Sequence, residues 1–159
     1  MLKEQEMVQI NWRRVVLGGL LAGLVIDVFE FVLNNVLLRS QWAEAMRALG
    51  RPEQLTAGAM ATFIVWGFLV GIFAVWLYAE IRPHYGARPR TAVIAGSAVW
   101  FLGYLLASGP PLVLNLFPGR LMLTGLAVGL VEAVVGTIAG AWVYRGVSSP
   151  AGSAAAAKL

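Results

Sequence analysis

The chain has 159 residues, 59% of them hydrophobic and 13% charged, with no cysteine and a formal net charge of +4. Soluble domains carry about 25% charged residues, so a soluble fold is set aside, and the missing cysteines exclude disulfides, thiolate metal sites and cysteine nucleophiles. The mean hydropathy of +0.75 points instead to helices of about 20 apolar residues, the length that crosses roughly 30 Å of hydrocarbon.

Residues 1–14 read as a polar cytoplasmic lead ending in Trp12, Arg13 and Arg14, an aromatic and basic anchor at headgroup level. The first apolar run, 15–38, has 24 residues, well beyond the 7–15 or so of a signal-peptide core, and is expected to remain as a first span. A short helix should follow, capped by Ser40 and closed by Gly50. Trp42, Ala45, Met46 and Leu49 share one of its faces, so it is expected to lie on the outer membrane surface as an amphipathic helix.

The second run, 58–80, ends in Trp76 and Tyr78, and the fourth, 121–144, ends in Trp142 and Tyr144, rings suited to a membrane interface. Between runs two and three lies a tight turn, 82–90, holding the sole histidine, His84, which is expected to be solvated. The third run, 91–108, meets Ser108, Gly109, Pro110 and Pro111, a sequence that should end or kink a helix. Either that helix stops near Ser108 or one broken helix continues to Phe117. The tail, 145–159, is of low complexity and is expected to be flexible. The fold class is therefore an all-α membrane protein, one four-helix transmembrane domain over 15–144.

Placing both termini in the cytoplasm puts Lys3, Arg13, Arg14, Arg82, Arg88, Arg90, Arg145 and Lys158 on that side, against Arg39, Arg47, Arg51 and Arg120 opposite. Eight against four satisfies the positive-inside rule. The basic balance thus reads as topology in a cytoplasmic (inner) membrane, with the lipid bilayer as partner and no nucleic acid.

Three acids interrupt these runs: Asp27 and Glu30 in the first, Glu132 in the fourth. Arginines bracket each run, Arg14 and Arg39 or Arg120 and Arg145, and the midpoints fall at Asp27 and Glu132. A charge at mid-bilayer costs about 2.5–3.5 kcal/mol on insertion scales, which marks these residues as site candidates. The 16 Leu, Ile, Val and Phe residues of the first run supply about −5 to −10 kcal/mol against about +5 to +7 for its two acids. It inserts with a thin margin, so packing must contribute.

At 100° per residue, Gly19, Gly23, Asp27, Glu30 and Asn34 fall within one narrow arc, and so do Gly125, Gly129, Glu132, Gly136 and Gly140. The acids should therefore face helix–helix contacts made close by glycine. No Lys, Arg or His lies within the four runs, so at least one acid is expected to be protonated at neutral pH or neutralised by an external cation. Asp27 and Glu30 are expected to face each other and share a proton, with Asn34 donating to Glu30. Trp66 and Trp100 are candidate pocket aromatics.

These features favour a carboxylate cluster between the first and fourth helices that binds or exchanges protons or cations while moving a small cationic or amphipathic compound. The alternative is a structural or assembly subunit, in a homo- or hetero-oligomer, whose acids fix helix packing. Small multidrug-resistance exporters share the architecture of four short helices and an embedded acid, though none of their sequence motifs is present. No catalytic residue, metal site or cofactor is expected, since no nucleophile, ligand cluster or phosphate loop accompanies the acids. Asn11-Trp12, Trp42-x-x-x-Met46-Arg47-x-Leu49-Gly50 and Trp100-x-x-Gly103 resemble small bacterial four-helix membrane proteins of unknown function. That resemblance implies the architecture and no activity.

Overall fold

A computed structural model describes residues 10–146; the remainder of the expected lead and tail, 1–9 and 147–159, lies outside the described residues. Six α-helices follow one another: α1 (Trp12–Phe31), α2 (Arg39–Ala48), α3 (Ala57–Tyr85), α4 (Pro89–Trp100), α5 (Ala107–Val113) and α6 (Gly119–Gly146). Two π-helical segments, Val32–Leu37 and Phe101–Leu106, join α1 to α2 and α4 to α5. Four stretches are long and apolar enough to span a membrane: Trp12–Leu37, Ala57–Tyr85, Pro89–Val113 and Gly119–Arg145.

Local chemistry sets the ends of these helices. Asn11 caps α1 by accepting the Arg14 N–H at 3.1 Å, and Thr56 caps α3 by accepting that of Ala59 at 3.2 Å. Helix α2 ends in a Schellman motif, with Arg51 N donating to Met46 O and Gly50 N to Arg47 O, both at 2.9 Å. Gly50 takes the left-handed conformation (φ 67°) that this motif requires. Asn115 (φ 51°) plays the same part after α5, where Leu116 N donates to Pro111 O and Asn115 N to Leu112 O.

Two local expectations are corrected. Ser40 lies inside the first turn of α2, whose N-cap is Leu38; the π segment runs almost directly into α2, so no extended residue is left for a serine cap to occupy. The third span passes Ser108, Pro110 and Pro111 and ends at Val113. Both prolines lie inside α5, fourth and fifth of its seven residues, and the helix closes two residues after Pro111.

The spans pack by backbone approach. A Cβ added at Gly19 would lie 2.5 Å from Ile72 Cα, one at Gly23 would lie 2.6 Å from Phe68 Cα, and one at Gly71 would strike Gly23 N. This seats α1 on α3. Gly18 and Gly140 do the same for α1 and α6, where a Cβ on Gly18 would lie 2.5 Å from Gly140 O. Gly96 lets α4 approach Ala133 O and Val134 Cα of α6.

Two apolar cores result. One gathers Val15, Val75, Tyr78, Ala95, Ala141 and Tyr144; the other, at the far end of the bundle, gathers Leu33, Leu38, Ala45 and Leu121 with Trp42 and Phe117 packed against it. We refer to these as the Tyr78 end and the Trp42 end. The acids of the first and fourth spans lie between them.

Candidate functional site

Glu132, on α6, is 0% exposed, and neither of its carboxylate oxygens has a hydrogen-bond partner. The Glu30 carboxyl and the Tyr104 hydroxyl stand close enough to act on it. Both approach it without closing a bond of regular geometry. A buried polar group left unpaired is costly in any apolar surrounding, and Glu132 is among the largest fully buried side chains described.

Asp27 and Glu30 are three residues apart on α1 but turn to different neighbours. A Cβ added at Gly67 of α3 would run into the Asp27 carboxyl, so that glycine is the seat on which Asp27 rests. Asp27 Oδ2 is buried without a partner. Glu30 turns toward α6 instead, and its Oε2 accepts from Asn34 Nδ2. The same Asn34 amide donates to the Glu30 carbonyl at 3.1 Å. Among the described residues no hydrogen bond joins Asp27 to Glu30, contrary to the expected shared proton. A separation of three residues turns them about 60° apart around the helix, enough to send one toward α3 and the other toward α6.

Asn34 also accepts, through Oδ1, the indole N–H of Trp42 at 2.7 Å. Trp42 in turn stands edge-on to Phe117, with ring centroids 5.3 Å apart. A polar chain therefore runs from α2 through Asn34 and Glu30 to Glu132. Asn34 of this polar chain, and Tyr104 outside it, both sit in π-helical segments. Such segments are rare and recur at functional sites.

Tyr104 is the residue that sequence reasoning missed. Its ring lies against Gly129, where an added Cβ would come within 2.7 Å of Cδ1, and Glu132, Glu30 and Asp27 all act on its hydroxyl. Gly129 lies one turn before Glu132 on α6, so the Tyr104 ring is held beside the acid-bearing face of that helix. A signal existed: Tyr104 is the only tyrosine in the run 91–108, and a phenol within an apolar span needs a polar partner.

The remaining candidates separate by position. Gly19, Gly23, Gly136 and Gly140 lie at helix contacts, and Gly129 receives Tyr104. Gly125 meets nothing within 4 Å of an added Cβ, so it is placed away from any helix contact. Trp100 donates its indole N–H to Leu126 O at 2.9 Å, tying α4 to α6. Trp66 is 60% exposed on the outside of the bundle, edge-on to Phe63, and is not brought to the acids. Among the described residues no three Asp, Glu or His side chains converge as a metal site would require.

No family model matches the chain, and neither does any curated protein or solved structure. What the site does is therefore argued from its own chemistry.

Proposed function

We propose that this chain is an integral membrane protein that binds a small cationic or amphipathic compound at Glu132, with Asp27, Glu30 and Asn34, in exchange for protons. The observation that carries this reading is Glu132, fully buried with both oxygens unpartnered and facing other carboxyls. No basic residue stands within the first or fourth run to neutralise it. An unpaired carboxylate is not sustained in such surroundings, so the group holds a proton until a cation arrives. The cation then forms an ion pair with the carboxylate, and the proton leaves by the polar chain or with solvent. The charge on the site is the same before and after, which is the requirement for exchange across an apolar barrier.

The reading includes a setting. The charge distribution supports both termini in the cytoplasm, the Tyr78 end facing inward and the Trp42 end outward. Helix α2 then lies at the outer surface as an amphipathic cover, held to the site through Trp42 and Asn34. The role is transport or binding, and no catalytic step is assigned.

The test is dye movement in proteoliposomes. A pH gradient should drive accumulation of a lipophilic cationic dye in wild-type vesicles, and Glu132→Gln should reduce it to the level of empty liposomes. Accumulation that survives Glu132→Gln sinks the reading. A second reading, an assembly subunit, has one observation in its favour: beyond Trp100 the third span contributes no buried residue, leaving a face that another chain can cover. A single oligomeric species in nanodiscs, together with inactivity in the dye assay, would favour it.

A further inference from the structure

The second and third spans part along one stretch of their contact. Leu69, Val70 and Phe73 of α3 face Val99, Leu102 and Gly103 across a groove of about 400 Å³ with almost wholly apolar walls. That volume falls in the range of about 300–1,000 Å³ typical of small-molecule sites. Two chain neighbours tie it to the polar site. Gly103 immediately precedes Tyr104 in the second π segment, and Val70 lies one turn from Gly67, on which Asp27 rests.

The wall formed by the third span is also the least anchored part of the bundle. Helix α4 buries Thr91, Ala92, Ala95, Gly96 and Val99, whereas Phe101–Leu106 and Ala107–Val113 bury nothing. Tyr104 is carried on this loosely held stretch, yet its hydroxyl reaches the acids. Tyr104 thus stands between the groove, which Gly103 lines, and the α6 face that carries Gly129 and Glu132.

We propose that this groove is a sideways entrance from the bilayer: it holds the hydrocarbon tail of an amphipathic cation whose head displaces the Tyr104 hydroxyl at Glu132. Charge complementarity selects the occupant. An uncharged lipid tail fills the groove but leaves the buried, unpartnered oxygens of Glu132 and Asp27 as they are, whereas a cationic head satisfies them. The tail passes from one apolar surrounding to another, so its gain is packing against the groove walls, while the charge pairing falls to the head. This inference rests on the exchange reading above and adds to it the substrate class, the route and a positioning residue, Tyr104.

Equilibrium dialysis of dodecyltrimethylammonium and tetramethylammonium against the protein in nanodiscs, corrected with empty nanodiscs, tests it. Gly103 has open space around an added Cβ, so Gly103→Leu fills the groove without disturbing the fold. It should weaken dodecyltrimethylammonium about tenfold, by displacing the tail from the walls it packs against, and leave tetramethylammonium unchanged. Tyr104→Phe keeps the ring over Gly129 but removes the competing hydroxyl, and should tighten both probes. Glu132→Gln should abolish both. If Gly103→Leu spares the long-chain probe, or weakens both probes equally, while Glu132→Gln abolishes binding, the entrance is wrong and the exchange site stands. If Tyr104→Phe weakens both probes, the displacement is wrong. If Glu132→Gln leaves binding intact, or the wild type binds neither probe, the exchange site itself fails and this inference with it.

Discussion

Replacing Gly67 by alanine drives a methyl group into the Asp27 carboxyl, an overpacking expected to destabilise by about 1–3 kcal/mol. Asp27→Ala removes the obstacle, so the double variant should recover most of the loss, with a coupling of about 1–3 kcal/mol in thermal unfolding in detergent. Additive effects would show that Asp27 does not rest on Gly67. Gly71→Ala strikes the backbone nitrogen of Gly23 instead, where no side chain can yield, and should be the more damaging of the two, with no rescue from Asp27→Ala. Glu132→Gln is expected to change Tm by less than about 4 °C, roughly 1 kcal/mol for a chain of this size, because a protonated glutamic acid and a glutamine are alike in volume and charge. Binding of a cation at Glu132 should strengthen with rising pH. The proton and the cation compete for one carboxylate, so affinity climbs about tenfold per pH unit while the group titrates and levels off once it is deprotonated. An affinity that falls as pH rises would contradict competition at a carboxylate.

At the scale of the elements, the π segment Val32–Leu37 holds i→i+5 bonds and so accommodates a residue that a continuous α-helix would not. Deleting Val36, which is 62% exposed, should let the segment close as α-helix while leaving the flanking register intact. The variant is expected to unfold at the same temperature or higher in detergent and to lose cation binding, since Asn34 no longer meets both Glu30 and Trp42; retained binding would show that the π turn is incidental. This is also where the sequence is least legible. Apolar runs locate the four spans because length and hydropathy are one-dimensional properties. A 100° projection places Asp27, Glu30 and Asn34 on one face, and the Asn34–Glu30 bond follows from their four-residue spacing. The same projection assumes an unbroken α-helix, so it cannot register a π turn or bring Tyr104 around to Glu132. It gives an azimuth and no partner: Gly125 shares the arc of Gly136 and Gly140, yet no neighbouring helix comes close at its level. Gly18, off that arc's counterpart on the first span, does meet Gly140 because α1 sits between α3 and α6 and needs two close faces.

For the whole molecule, the absence of cysteine makes topology simple to read. Single cysteines at exposed positions, Gln54→Cys at the Trp42 end and His84→Cys at the Tyr78 end, should react with an impermeant maleimide from opposite sides of intact cells or inverted vesicles. Labelling of both from one side would overturn the four-span arrangement. The two ends also differ in how they are closed. At the Tyr78 end, Tyr78 and Tyr144 stand edge-on at 6.0 Å, Arg82 sits 5.7 Å over the Tyr144 ring, and Arg145 reaches Ala87 O at 3.3 Å. Glycine contacts lock the spans just beyond them. The third span places fully buried residues only as far as Val99; from Phe101 onward none is fully buried, although the Tyr104 ring rests on Gly129. In mechanical terms it is a beam clamped firmly at one end and held lightly, through Phe117, beyond the other. Any lateral load from the bilayer, whether from thickness or tension, bends it at the clamp, so the deflection concentrates at the π segment that carries Tyr104.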